Sequence, residues 1–175
     1  MKGINSYRVT CLRQFCWDII VNGIIASYFF PNFIRLFFYK LLKFKISATV
    51  HAKCYFGSNK IKIGKRTYIN RGCLFDNENG AFIEIGNDCA IGYNVSFLTT
   101  NHDITNHNRR GGKVISKKIC IKDGCWIGAN SIILPGVTVE EGCVIGAGSI
   151  VTKNTESNCI YLGIPSRKYK NITFS

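Results

Sequence analysis

The sequence predicts an all-β fold, a parallel β-helix shaped as a triangular prism, with a helical segment at its N-terminus. Two observations carry the prism. Aliphatic residues recur every six positions at Ile121, Ile127, Ile133, Val139, Ile145 and Val151. Whole segments also recur at eighteen: Trp126-Ile127-Gly128-Ala129 stands eighteen residues before Val144-Ile145-Gly146-Ala147, and Gly124-Cys125 eighteen before Gly142-Cys143. A period of six excludes an amphipathic helix, which places apolar residues at i, i+3, i+4 and i+7. A hexad with one inward aliphatic side chain is a short strand plus a corner. Three such sides close one coil, and successive coils stack as parallel strands about 4.8 Å apart.

Taken in order, residues 1–50 carry no hexad. "FCWDIIVNGIIASYFF" and "NFIRLFFYKLLKFK" read as two apolar helices separated by Pro31. The first sixty residues hold nine Lys and Arg against one acid, Asp18. The apolar run 19–34 contains Asn22, Ser27, Pro31 and Asn32 and is shorter than the ~20 residues that span a bilayer. No small-residue cleavage site follows it, which argues against a signal peptide. The segment therefore reads either as a helical cap over the open first coil or as a basic, amphipathic surface for an anionic membrane. The β-helix domain is expected over 51–170. Its hexads resume at Ile63-Gly64, Ile69 and Phe75, and again at Ile85-Gly86, Ile91-Gly92 and Phe97. "DNENGAFI" at 76–83 breaks the spacing and reads as a corner loop. The stretch 103–118 has no anchors and is polar, basic and glycine-bearing, so it leaves the prism as a loop; long loops in regular folds are usually functional. Register returns at Ile119–Ile121, and the tail departs near Pro165.

A formal net charge of +13 suits anionic partners. The basic aromatic stretches sit in the N-terminal helices and no nucleic-acid motif appears, so nucleic acid is not expected as a partner. The nine cysteines include no CxxC pair and their number is odd, which points to a reducing, cytoplasmic setting, with the inner face of the membrane as the possible address of residues 1–50. Six of them, Cys54, Cys73, Cys89, Cys125, Cys143 and Cys159, precede an apolar residue by two positions. That site wants a small buried side chain, and free Cys packs as one.

The segment "IKDGCWIGANSIILPGVTVEEGCVIGAGSIVTK" at 121–153, with "GIPSRKY" at 163–169, resembles the hexapeptide-repeat acyltransferases, and within them the maltose, galactoside and capsule-sugar O-acetyltransferases. The likeness covers roughly residues 55 to 170. It implies a left-handed helix, a homotrimer with sites between neighbouring subunits, and acetyl transfer from acetyl-CoA to a sugar or a lipid-linked saccharide. Handedness rests on the resemblance alone, since parallel crossovers are normally right-handed.

Acetyl transfer from a thioester needs a base, an oxyanion donor and a groove for pantetheine. Histidine, with an unperturbed pKa of ~6.5, suits the first. In the resembling family a His where the repeat gives way to the loop is the general base, which points to His102 in "LTTNHDI". By the same likeness Asn70 in "YINRGC" contacts the acceptor, and Asp76 or Glu78 binds an acceptor hydroxyl, with Asp76 favoured. Trp126 matches a Trp beside the cofactor. Ala129 and Ala147 match small residues along the pantetheine wall, Ala129 replacing a common Ser. Thr152, Lys153 and Arg167 match polar residues near the nucleotide, where cations meet phosphate. Lys170 stands where some relatives carry Arg.

Two rival readings come from other classes. Zinc hydratases of this fold use three histidines, two of them five apart, as His102 and His107 are; but His107 lies in the unregistered loop and His51 far back in the chain, so no metal is expected. A non-catalytic scaffold would use the basic surface to bind a partner. Within acyl transfer, an amino-sugar N-acetyltransferase needs the same donor groove.

Overall fold

The computed structural model describes residues 11–173. Lys2 and Arg8 of the basic segment lie outside the described residues. Five coils form a prism with three faces. Face A stacks β1 (Lys45–Ile46), β4 (Ile61–Ile63), β7 (Ile83–Ile85), β12 (Ile119–Ile121) and β15 (Thr138–Val139). Face B stacks β2 (Thr49–Val50), β5 (Tyr68–Ile69), β8 (Ala90–Ile91), β13 (Trp126–Ile127), β16 (Val144–Ile145) and β18 (Cys159–Leu162). Face C stacks β3 (Tyr55–Phe56), β6 (Leu74–Asp76), β9 (Ser96–Leu98), β14 (Ile132–Ile133) and β17 (Ile150–Val151). All pairs within the coils are parallel, and β19 (Arg167–Asn171) closes face B by returning antiparallel on β18.

The inward rows are the hexad anchors. Ile63, Ile85, Ile121 and Val139 are in register on face A, and Ile69, Ile91, Ile127 and Ile145 on face B; all are at most 1% exposed. Face C begins with three aromatic rings. Phe56 and Phe75 stack at 4.8 Å, and Phe75 and Phe97 at 5.0 Å, because parallel in-register strands place identical side chains one coil apart. The cysteine rule holds in space. All six corner cysteines are free and buried, and each thiol donates to a main-chain carbonyl, as Cys73 does to Gly92 (3.2 Å) and Cys125 to Glu140 (3.1 Å). The corner glycines Gly124 and Gly142 take φ of 69° and 66°, which a Cβ disfavours.

Register shows where the chain departs from eighteen. Val139 follows Ile121 by eighteen residues, Ile85 follows Ile63 by twenty-two, and Ile121 follows Ile85 by thirty-six. The four extra residues form the corner after β6, plugged by the fully buried Asn77, whose side chain accepts from Ser58 N (2.8 Å) and donates to Lys60 O (3.1 Å). The larger interval holds an antiparallel hairpin, β10 (Thr100–His102) with β11 (Val114–Ser116), so the loop expected over 103–118 leaves the prism earlier, at Thr100.

The first coil also starts earlier than the boundary set at residue 51, because Lys45–Ile46 already pairs with β4. Ile46 and Val50 are both inward but only four apart, so no hexad marks them. Helix α1 is α-helical over 11–17 and π-helical over Asp18–Ile25; α2 spans Asn32–Leu41. The two lie across the open first coil, with Val21, Ile25, Tyr39 and Phe44 joining its core. Arg35 pins them. It is 3% exposed and donates to the carbonyls of Ile25 (3.1 Å), Val50 (2.7 Å), Ser27 (2.9 Å) and Phe30 (2.7 Å).

Candidate active site

The hairpin emerges where face C turns toward face A. Thr99 anchors its base, its hydroxyl donating to the Asp76 carbonyl (2.6 Å), and Lys117 N donates back to Thr99 O (2.9 Å). His102 closes β10 opposite Val114, with an exposed ring. Its Nδ1 lies 3.2 Å from the Gly112 carbonyl oxygen. A carbonyl only accepts, so this contact assigns the neutral ring's proton to Nδ1 and leaves the Nε2 lone pair free. That is the tautomer a general base requires.

Side chains alternate along a strand, so Thr100 and His102 share one face of the hairpin. Thr100 in turn meets the corner after β6: Asn79 Nδ2 donates to its hydroxyl (3.3 Å), and it stands beside the Asp76 carboxylate. Asp76 is half-buried. Burial, and then the charge of Glu78, push its carboxyl above the usual range, and the neighbouring Thr100 hydroxyl only partly opposes them. Glu78 is engaged elsewhere, accepting the Tyr55 hydroxyl (2.8 Å). Of the two competing acids, Asp76 is therefore the one whose carboxylate adjoins the His102 hairpin.

The remaining candidates are spread over the same prism. Asn70, Ala129 and Ala147 sit where face B turns into face C. The wall there is close-packed backbone: a Cβ on Gly128 would stand 2.5 Å from Ala147 N, and one on Gly92 would stand 2.6 Å from Ala129 N. Trp126 points out from face B at 56% exposure, in line with Tyr68, Ala90 and Val144. Thr152 and Lys153 follow β17, on the edge that bears the hairpin. Lys153 and Arg167 come together with Tyr161, Ser166 and Lys168 in a cleft of about 220 Å³. Lys168 is tied to Glu156 (2.7 Å), whereas among the described residues no carboxylate bonds the side chains of Lys153 and Arg167. One chain thus places Asp76 at the base of the His102 hairpin and Lys153 beside Arg167, but keeps Asn70, Ala129 and Ala147 on a different edge.

His107 lies in the hairpin turn and His51 follows β2; among the described residues no three His, Cys, Asp or Glu side chains gather. Two residues at the site carried no signal in the sequence. Thr100 bridges the hairpin to Asp76. Ser116, paired with Thr100 across the hairpin, has a buried hydroxyl without a partner. A motif match could not mark them, because each matters through a cross-strand position.

Comparison with known proteins agrees with this architecture. Residues 121–153 match the family model described as bacterial transferase hexapeptide (six repeats). The solved galactoside acetyltransferase in complex with coenzyme A is 30% identical, covers 93% of this chain and 80% of its own, and superposes with a TM-score of 0.78. The chain belongs to the hexapeptide-repeat acyltransferases. Its prism is their left-handed parallel β-helix. A hexapeptide-repeat acetyltransferase from Vibrio cholerae, solved with acetyl coenzyme A, is 27% identical with a TM-score of 0.74, over 88% of this chain and 86% of its own. The galactoside O-acetyltransferase of Escherichia coli K12 is 37% identical over 128 residues, 72% of this chain. The chain spans little more than half of the curated relatives it matches, from 53% to 62% for the first of them.

Proposed function

We propose that this protein transfers an acetyl group from acetyl-CoA to a hydroxyl of a sugar or saccharide unit. The observation that carries the reading is the His102 ring, held through Nδ1 by Gly112 with Nε2 open, on the hairpin face that leads to Asp76. As the acceptor oxygen attacks the thioester carbonyl, Nε2 takes its proton. The tetrahedral intermediate collapses, the carbon–sulfur bond breaks, and the imidazolium returns the proton to the departing CoA thiolate. Asp76 accepts from a neighbouring acceptor hydroxyl and orients it. Lys153 and Arg167, in one cleft, meet the phosphates of the donor electrostatically. Solved relatives with coenzyme A and with acetyl coenzyme A support the choice of donor. The galactoside acetyltransferases among the relatives support a sugar acceptor.

The division of the candidates between two edges supports a homotrimer in which one copy's Asn70, Ala129 and Ala147 face the next copy's Asp76 and His102. Outward side chains agree. Face A carries the Lys62–Glu84–Lys118 ion pairs, whereas face B presents Tyr68, Trp126 and Val144.

The test follows thiol release from acetyl-CoA over a panel of sugars and amino sugars. Acceptor-dependent release should fall by about 10²–10⁴ in His102→Ala, the worth of a positioned base. Undiminished turnover in that variant rejects the assignment. Preference for amino sugars would move the reaction to N-acetylation.

A further inference from the structure

Helix α2 keeps an apolar row on its outer side as well as on its inner one. Arg35 and Tyr39 are its fully buried residues, with Leu36 and Phe38 packed on the core beside them, while Phe33, Phe37 and Leu41, at i, i+4 and i+8, are 73%, 64% and 68% exposed. Helix α1 is apolar on both sides too: Val21 and Ile25 face the prism, and Leu12, Phe15, Ile19, Ile20 and Ile24 face out. The connecting turn adds Tyr28 and Phe29, the latter 84% exposed. Both helices lie across the first coil, so the exposed residues of α1 and α2 stand on the outer side of this end of the prism, while Tyr28 turns back toward Lys53 and Arg71. Lone exposed apolar residues need no explanation, but a contiguous set of this size marks an interaction surface.

The charge around the base selects the partner. Arg13, Lys40, Lys43 and Lys53 are exposed on or beside the helices. No Asp or Glu occurs between Asp18 and Asp76. Asp18 itself is half-buried and accepts from Asn22 (2.9 Å). Glu78, the other acid near this end, lines a cleft with Arg13 and Trp17 and accepts the Tyr55 hydroxyl, so among the described residues cations outnumber acids around the helices. Apolar side chains projecting from helices that lie flat, with cations beside them whose stems can carry the charge to headgroup level, is the arrangement of interfacial helices. No helix among the described residues is long and apolar enough to cross a bilayer. We propose that the helical end of the prism rests on an anionic lipid bilayer, with Phe33, Phe37, Leu41 and the outward residues of α1 in the headgroup–acyl boundary. This does not depend on the transferase reading.

Flotation of the full-length protein with phosphatidylcholine vesicles containing about one-third phosphatidylglycerol tests it. The protein should float with these vesicles, should bind pure phosphatidylcholine several-fold more weakly, and should be released in part by high salt. Phe33→Ser/Phe37→Ser/Leu41→Ser alters only outward positions of α2 and should weaken binding at least about tenfold with an unchanged melting profile. Lys40→Glu/Lys43→Glu, which keeps the apolar row, should weaken binding to anionic vesicles and leave the pure phosphatidylcholine background unchanged. Wild-type protein remaining at the bottom of the gradient overturns the proposal. So does equal flotation of the triple-serine variant. Absence of flotation together with a drop in oligomer mass in the triple variant overturns it in favour of contact between copies.

Discussion

Replacing Arg35 by Met should loosen the helical end without dissolving the prism. The methionine refills most of the stem volume and removes the guanidinium, stranding four carbonyls. Those of Ser27 and Phe30 are bonded near the surface and can recover water; those of Ile25 and Val50 are bonded by buried parts of the guanidinium. Leaving a buried acceptor unsatisfied costs ~1–3 kcal/mol, so two of them set the loss at about 3 kcal/mol. The effect should be local, because in a coil-stacked fold each layer is held mainly by its neighbours. The sequence supplies two reporters, since Trp17 and Trp126 are its only tryptophans. Trp17 belongs to the helical end, stacking on Phe44 and donating to Phe56 O (2.6 Å), whereas Trp126 sits on the fourth coil. In Trp126→Phe, urea unfolding followed by Trp17 fluorescence should move to lower denaturant by that amount on introducing Arg35→Met. In Trp17→Phe, Trp126 should report a much smaller shift. A Trp17 transition displaced by less than about 1 kcal/mol would refute the reasoning.

Tyr39→Phe should be neutral or stabilising by up to about 1 kcal/mol in the same urea assay, because the Tyr39 hydroxyl is buried without a partner. Phe75→Ala should cost about 3–5 kcal/mol, since the ring is fully buried between Phe56 and Phe97, and its unfolding should appear in both tryptophan signals. Asp76 should show a trade between stability and activity. A carboxyl whose folded pKa is raised binds protons more readily folded than unfolded, so it costs stability as pH rises through that window. Asp76→Asn should therefore gain stability at neutral pH, read by thermal melts at neutral and acidic pH. The same variant should raise the acceptor KM, and in the wild type acceptor affinity should fall on acidification at a pH above that of an ordinary carboxylate.

The regular part of this fold is written plainly in the sequence because one inward residue per hexad decides each side. Ile121, Ile127 and Ile133 each lead one face of the fourth coil, and the buried cysteines stand two residues before their anchors. Interruptions are harder to see. The four residues added after Asp76 shift the count and announce a corner. The hairpin adds a full coil's worth of residues, so hexad counting passes through it in phase, and only its polarity betrays it. The first coil is invisible because Ile46 and Val50 are four apart. The orientation of the helices is the deepest departure: apolar composition locates α1 and α2, but with apolar residues on both sides, which stripe of α2 turns inward depends on Arg35 finding four carbonyls, three of them in the turn and the coil beyond. At the site, the place of His102 at the hairpin start was legible as a motif. Thr100 and Ser116 were not, because strand pairing rather than chain proximity gives them their neighbours.

The two strands of the hairpin close on the prism at the hydrogen bond from Lys117 N to Thr99 O, with Thr100 touching the β6 corner beside it, and the chain returns to the register it left. The coils on either side pair directly across it, β7 with β12 and β9 with β14, as if it were absent. The excursion is therefore a detachable cassette. Its length and composition can drift, and chemistry at its tip can be rewritten, without changing which residues of the wall touch. Substitutions that would ruin a site embedded in the coils can here be tried at little cost to the scaffold, which uncouples the variation of reactivity from the preservation of shape.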